Sequence, residues 1–167
     1  MNRRVFAALI AALTTFVAVT AAAVAGPGGS DNATMCVLNT RLLPENEVLR
    51  TTPNTSVASG HAQVKVRNDG TIEFKTFVLN PAGEVFTRAH IHGQATAAGN
   101  AGIVADFLEG GVPVASLTGK TITFTGEARV RGGNTTLAAA LCASPELYYV
   151  NFHSVAEPSG AIRGQLG

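Results

Sequence analysis

Three histidines carry the clearest chemistry that this sequence could perform. His90 and His92 are separated by one residue, and His153 follows in a later apolar segment. Alternate residues of a β-strand project to the same face, so His90 and His92 would lie side by side. Three imidazoles around an open fourth position are typical of zinc and copper sites. We therefore predict either a metal site at His90, His92 and His153, or a hydrogen-bonded polar cluster of the same residues.

The residues around the trio alternate in a way that predicts a polar sheet face. In the first segment, Ala89 and Ile91 alternate with the two histidines, and in the second, Val150 and Phe152 alternate with polar residues. Neighbouring strands would bring the polar residues of each segment together, because facing Cβ atoms lie only about 4.5–5.5 Å apart. We therefore predict one face formed by the trio and a binding set of polar neighbours: Arg88, Gln94, Tyr149, Asn151, Arg163 and Gln165.

Motifs of other enzyme classes are missing from the sequence. There is no G-x-S-x-G elbow, no Cys-x-x-Cys pair and no phosphate-binding glycine loop before a helix. Glu84, Asp106 and Glu157 are the acidic residues nearest to the trio in sequence, and their spacing suggests no acid–base pair. We therefore predict no catalytic residues and lean against an enzyme.

Two other groups of polar residues receive structural interpretations. His61 alternates with core positions alongside Gln63, Lys65 and Arg67, and it is expected to be an ordinary surface residue. Glu47 and Arg163 are isolated charges in otherwise apolar or glycine-rich segments near the two ends of the chain. We expect them to form a salt bridge that joins the first strand to the last.

The N-terminal segment has the organisation of a secretory signal peptide. Arg3 and Arg4 precede an apolar run, and Ala23-Val24-Ala25 is a small-x-small cleavage signature. We predict a signal peptide over residues 1–25 and a disordered leader over residues 26–34, with an uncleaved membrane anchor as the alternative. The protein is then secreted or periplasmic, and it meets the membrane only through the signal before cleavage.

Charge and cysteine content restrict the remaining chain further. The predicted signal contains two of the twelve basic residues and none of the eleven acidic ones, so the rest carries a net charge of −1 with neutral histidines. This balance, without a basic patch, excludes a nucleic-acid partner. Cys36 and Cys142 are the two cysteines, and in an exported chain they most simply form one disulfide, the alternative being two free thiols.

From Met35 onward the apolar pattern has period two, which predicts strands rather than helices. One short helix is predicted over Asn134–Cys142, where Leu137 and Leu141 fall four residues apart and Pro145 prevents continuation. The fold class is all-β: an antiparallel β-sandwich or flattened barrel of about seven or eight strands. The explicit strand segments are Val57–Val66, Thr71–Leu79, Val85–Ala95, Gly102–Leu108, Lys120–Val130, Leu147–Ser154 and Ala161–Leu166.

Four sequence blocks, in order, resemble those of the CHRD (chordin-like) domain family. They are Leu43–Val48 (LPENEV), Ala89–Gly93 (AHIHG), Tyr149–Ser154 (YVNFHS) and Pro158–Leu166 (PSGAIRGQL). The resemblance implies an extracellular β-sandwich domain over residues 35–167 and no established catalytic activity. The chain departs from the family pattern at Leu49, where the family usually has proline, and in the alanine-rich segment 137–143.

A fainter resemblance is to copper–zinc superoxide dismutases, which also carry His-x-His on a sandwich strand. Four histidines in total are too few for their two-metal set, so that activity is not expected.

Two functions follow from these observations. The first is a non-enzymatic extracellular binding or structural module that contacts a protein, glycan or surface component through the polar face. The second is a copper or zinc protein with a carrier or simple redox role.

Overall fold

The computed structural model describes residues 32–48, 53–108 and 118–167. The predicted signal peptide over residues 1–25 lies outside the described residues, as does most of the predicted leader. The described chain contains nine strands and one α-helix. They are β1 (Thr34–Leu42), β2 (Ser59–Arg67), β3 (Ile72–Leu79), β4 (Phe86–Gly93), β5 (Ile103–Asp106), β6 (Thr121–Glu127), β7 (Arg129–Val130), α1 (Leu137–Ala143), β8 (Tyr148–Ser154) and β9 (Ile162–Gln165).

The strands form two antiparallel sheets that pack face to face, so the predicted β-sandwich is confirmed. One sheet has the order β1-β2-β3-β6, and the other has the order β7-β5-β4-β8-β9. One face of each sheet lines a common hydrophobic core, to which β2 contributes Ala62, Val64 and Val66 and β4 contributes Ala89 and Ile91. Alternation of apolar and polar residues therefore places one face of each sheet in the core.

The hairpin between β2 and β3 forms where the sequence predicts it. Gly70 adopts a φ of +88°, which a side chain would disfavour, and the Asp69 carboxylate accepts a hydrogen bond from the Thr71 amide at 2.9 Å. Both features are typical of an Asp-Gly turn. The turn sets the register that pairs Val66 with Ile72, and both residues are buried.

The predicted strand Lys120–Val130 is divided between the two sheets. Strand β6 pairs with β3 in the first sheet, whereas β7 pairs with β5 in the second. Between them, the Ala128 amide donates to the Ile72 carbonyl at 2.7 Å. The alternation of side chains continues through the crossing, so the sequence pattern alone does not reveal the change of sheet. This division contributes to a strand count of nine rather than seven or eight.

The end of β1 crosses to the second sheet and joins it to the first. The backbone amides of Leu43 and Arg163 each donate to the other's carbonyl, at 3.0 and 3.1 Å. A Cβ atom at Gly164 would collide with the Arg41 carbonyl and the Thr40 side chain. Glycine is therefore required for β9 to approach β1 this closely.

Helix α1 and the disulfide close the structure on the side of β1. The helix begins three residues later than predicted, because the Asn134 side chain accepts bonds from Thr136 and forms a turn before the helix. Leu137 and Leu141 enter the core, and Cys142 is bonded to Cys36, which confirms the predicted disulfide. In the described part of the chain, no helix is long and apolar enough to cross a membrane.

Candidate metal centre

The pairing of β4 with β8 brings the three histidines together. In this register His92 faces Tyr149, His90 faces Asn151, and Arg88 faces His153. The ring centroid of His90 lies 5.6 Å from that of His92 and 5.1 Å from that of His153, and the centroids of His92 and His153 are 5.9 Å apart. All three rings project from the sheet face that is opposite to the hydrophobic core.

The imidazole nitrogens of the trio are close enough to share one ligand. One nitrogen from each of His90, His92 and His153 lies within 4.8 Å of the other two. A tetrahedral ion with bonds of about 2.1 Å requires ligand nitrogens about 3.4 Å apart. The separation between any two of these nitrogens would therefore shorten by about 1.4 Å at most. His90 and His92 are buried and His153 is half-buried.

Each histidine has one ring nitrogen close to a polar group outside the trio. The His92 Nδ1 atom lies 3.0 Å from the Ala101 carbonyl oxygen, and the His153 Nδ1 atom lies 3.0 Å from the Pro158 carbonyl oxygen. A carbonyl oxygen can only accept, so Nδ1 of both rings carries the proton and donates. His90 instead presents Nε2 to the Asp106 carboxylate at 3.5 Å.

The remaining nitrogen of each ring is buried without a hydrogen-bond partner among the described residues. These atoms are Nδ1 of His90, Nε2 of His92 and Nε2 of His153. Since Nδ1 carries the proton in His92 and His153, Nε2 of both rings presents a lone pair. Nδ1 of His90 presents one in the tautomer whose Nε2 proton faces Asp106. Buried polar atoms are nearly always hydrogen-bonded, so these three nitrogens are available to a cation or to a hydrogen-bond donor.

The surroundings keep the three imidazoles neutral at pH 7. Burial, with a smaller contribution from the other two histidines, lowers the pKa of His90 to about 3. Burial also lowers the pKa of His92 to about 4, against the opposing effect of its bond to Ala101. The pKa of His153 is lowered as well, mainly by burial. The neutral imidazole is the form that ligates a metal ion.

Asp106 and Arg131 form a second layer behind His90. Asp106 lies directly opposite His90 in the pairing of β4 with β5. The guanidinium of Arg131 donates to both of its carboxylate oxygens at 2.7 Å. This bidentate pair holds the pKa of the buried Asp106 carboxyl below its ordinary value. Histidine ligands in metal sites are commonly oriented by a carboxylate in this way.

The loop between β4 and β5, residues 94–102, covers the sheet face and supplies the Ala101 carbonyl. The guanidinium of Arg163 donates to the carbonyls of Gly99 and Thr96, at 2.9 and 3.2 Å. Gln165 donates to the Ala95 carbonyl at 2.8 Å. Arg163 is 1% exposed, which shows how completely the loop encloses this part of the face.

Tyr149 connects the loop to the trio. Its ring stacks on His92 at a centroid distance of 4.8 Å, and Arg163 lies 3.5 Å from the same ring centroid. The Ala101 amide donates to the Tyr149 hydroxyl at 3.1 Å. Tyr149 and Arg163 therefore act indirectly on the site, because they position the residue whose carbonyl fixes the His92 ring.

Glu47 and Asn151 are a further buried pair beside Arg163. Asn151 donates to Oε2 of Glu47 at 3.3 Å, whereas Oε1 of Glu47 has no partner in the described part of the chain. Burial raises the pKa of Glu47 to about 7, although the Arg163 charge opposes this shift. The expected salt bridge is not formed among the described residues. The guanidinium of Arg163 donates to the covering loop, and Asn151 is the hydrogen-bond donor to Glu47.

The other predicted face residues differ in their surroundings. Arg88 is exposed at the edge of the trio, opposite His153. Gln94 lies one residue beyond β4 and donates to the Tyr148 hydroxyl, on the other face of β8. His61 is exposed on β2 of the other sheet. It is therefore separate from the trio, as its sequence neighbours suggest.

The acidic residues near the trio in sequence have three separate roles. Glu84 accepts from the hydroxyls of Ser56 and Ser154, and Glu157 accepts from the amide and hydroxyl of Thr55. Only Asp106 contacts the trio. Its role, and that of Arg131, were missed because the contact depends on the register of β4 with β5, which shifts at an irregularity between Ile91 and His92. No sequence signal reveals that shift.

Comparison with known proteins identifies the family. A family model, described as the CHRD domain, matches residues 38–166, which include all three histidines and both residues of the Asp106–Arg131 pair. No curated protein and no solved structure matches the chain. The match covers most of the chain, and it agrees with the β-sandwich and with the disulfide, which suits an oxidising compartment. The chain therefore belongs to the CHRD domain family, whose members are extracellular domains.

Proposed function

We propose that this extracellular domain binds one copper or zinc ion through Nδ1 of His90, Nε2 of His92 and Nε2 of His153. The observation that carries the proposal is the trio of buried nitrogens without hydrogen-bond partners among the described residues. Each belongs to a ring whose other nitrogen is already oriented by Ala101, Pro158 or Asp106. Such outer contacts are typical of histidine ligands.

The chemistry of the donor set favours copper or zinc over harder cations. Imidazole nitrogen suits zinc and copper, whereas calcium and magnesium prefer oxygen ligands. The nitrogens require only a small inward movement to reach the distances of a three-coordinate set. A fourth position would stay open to an exogenous ligand, which fits a carrier or a simple redox role.

Docking of a protein or glycan through the polar sheet face has weaker support. Of the residues predicted for that face, Tyr149, Asn151 and Arg163 are at most 3% exposed. The loop 94–102 is hydrogen-bonded to Tyr149, Arg163 and Gln165, and Asn151 is hydrogen-bonded to Glu47. A partner could reach Tyr149 and Arg163 only after the loop is displaced. The buried cluster is thus better suited to a small ligand or an ion than to a macromolecular surface.

Metal analysis of the intact exported protein tests the proposal. We expect the wild type, purified without chelators and incubated with one equivalent of Cu(II) or Zn(II), to retain one ion after desalting. The variants His90→Ala and His153→Ala should lose it. His61→Ala is the matched control, because it removes an exposed histidine from the other sheet.

The alternative results are distinct. Retention of one ion by His90→Ala and His153→Ala, or loss of the ion from His61→Ala alone, would place binding elsewhere. Absence of retained metal in the wild type would overturn the proposal and favour the alternative interpretation of the trio as a hydrogen-bonded polar cluster. Circular dichroism of each variant would verify that the fold is intact.

A further inference from the structure

A cavity of about 660 Å³ opens beside the trio at His90. It is bounded by the first part of β4, by the end of β5 and by the segment around β7. Its described lining residues are Thr87, Arg88, His90, Asp106, Leu108, Arg129, Arg131 and Gly132. The size is within the range of small-molecule sites. The cavity therefore reaches the His90 residue, one of the three proposed metal ligands, whose Nδ1 atom is itself buried.

Arginine is the commonest charged residue in the described wall of the cavity. Three of its described lining residues are arginines, and Asp106 is the one carboxylate among them. Both oxygens of Asp106 already accept from Arg131 at 2.7 Å, so its charge is neutralised within the wall. Within the described part of the chain, Arg88 has no hydrogen-bond or ion-pair partner, and its side chain is exposed. Arg88 therefore contributes a positive charge that no described acidic group balances.

Arg88 is also placed next to the nitrogens of the trio. It precedes His90 by two residues on the same face of β4, and it pairs with His153 of the neighbouring strand β8. An anion at the trio would therefore be attracted by the guanidinium of Arg88.

We propose that this cavity admits a small anion, of the carboxylate or pseudohalide class, which occupies the open coordination position of the trio's metal ion and is held by Arg88. This inference rests on the proposed metal binding. Three neutral imidazoles leave the full charge of a divalent ion uncompensated, so a negatively charged fourth ligand is favoured over a neutral one. The guanidinium fork of Arg88 suits a planar carboxylate.

The experiment titrates the Cu(II)-loaded protein with azide and, separately, with neutral imidazole. Azide is a small anion that ligates Cu(II) and produces a charge-transfer absorption band, whereas imidazole competes for the same position without charge. We expect Arg88→Gln to bind azide about five- to tenfold more weakly than the wild type, while imidazole affinity stays unchanged. Arg41→Gln, which removes an exposed arginine of β1 in the other sheet, should bind azide as the wild type does.

The outcomes separate this inference from the metal site itself. Wild-type protein that takes up no Cu(II) would overturn the proposed function, and this inference with it. Normal Cu(II) uptake with equal azide affinity in Arg88→Gln would overturn the anion site alone. An equal loss of azide and imidazole affinity would also overturn it, because the effect would not depend on charge. Repeating the titration with acetate checks the carboxylate class directly.

Discussion

His90 and Asp106 face each other across β4 and β5, with Nε2 of the imidazole 3.5 Å from Oδ1 of the carboxylate. This contact occupies Nε2 of His90 and leaves Nδ1, which is buried, without a hydrogen-bond partner among the described residues. Arg131 holds the Asp106 carboxylate in place by two bonds. The orientation of one proposed ligand therefore depends on a salt bridge between the last residue of β5 and the residue that follows β7.

Replacement of Asp106 by asparagine should weaken metal binding. The amide lacks the negative charge that polarises the His90 ring, and we expect about a tenfold loss of Zn(II) affinity. Competition with a chelating dye measures this change. Glu73→Gln is the control, because it removes a carboxylate that pairs with Lys65 and Arg67 in the other sheet. Equal affinities of the wild type and Asp106→Asn would contradict a positioning role for Asp106.

Metal binding should stabilise the folded domain. With free Zn(II) at about one hundred times its dissociation constant, the free energy of unfolding should rise by about 2.7 kcal/mol. Thermal unfolding with and without Zn(II) reveals this as an increase in Tm that a chelator reverses. His90→Ala should show no such increase. A similar shift in that variant would mean that Zn(II) stabilises the protein through another site.

Replacement of Arg163 by lysine should destabilise the protein by about 2–4 kcal/mol. Lysine cannot reproduce the planar fork that donates to the carbonyls of Thr96 and Gly99. The loop that orients His92 through Ala101 would then be less well held. Urea unfolding measures the loss, with the exposed Arg41→Lys as the control. Substitutions on the surface usually change the free energy of unfolding by less than about 0.5 kcal/mol, so a loss that small would contradict this account.

Removal of the disulfide should cost up to about 4–5 kcal/mol of stability. Cys36 and Cys142 are 106 residues apart, and a bond between them restricts a large part of the unfolded chain. The comparison uses the double variant Cys36→Ser/Cys142→Ser, so that no free thiol remains. Urea unfolding measures the difference between this variant and the wild type. Equal stability would show that the bond restricts little of the unfolded chain.

Glu47 should reduce stability as the pH rises. Burial raises its pKa to about 7, so between pH 4.5 and 7 the unfolded state releases the proton before the folded state does. The free energy of unfolding contributed by this group therefore falls across that interval. The free energy of unfolding of Glu47→Gln, measured relative to the wild type, should therefore be higher at pH 8 than at pH 4. Urea unfolding of both proteins at the two pH values measures the difference in their free energies of unfolding. Both proteins contain the same histidines, so the effect of histidine protonation cancels in this difference. A constant difference would exclude a raised pKa.

Much of the fold was predictable because its signals are local. The Asn68-Asp69-Gly70 turn, the alternation through Val64 and Val66, and the breaks at glycine and proline each depend on a few adjacent residues. The strand boundaries differ from the predicted ones by one or two residues in most cases, for example Phe86–Gly93 against Val85–Ala95. The division of β6 from β7 was not predictable, because side chains alternate in the same way whether or not a strand changes sheet.

The candidate site also combines features that a local pattern predicts with contacts that it does not. Alternation placed His90 and His92 on one face of a strand, and pairing with β8 brought His153 to them. By contrast, the partners that orient the rings come from elsewhere: a carbonyl at Ala101 in a loop, a carbonyl at Pro158 in a turn, and Asp106. Backbone carbonyls have no sequence signature, so their contribution could not be predicted.

By itself the sequence predicted an all-β sandwich or flattened barrel, the face on which the histidines lie, and a disulfide as the simplest state of Cys36 and Cys142. Side-chain direction in a strand follows from covalent geometry, and it needs no knowledge of distant contacts. The tertiary structure alone decided the register that sets Asp106 opposite His90, and the burial of Arg163 beneath the loop. Register and loop packing arise from contacts between residues far apart in the chain, which no local pattern encodes.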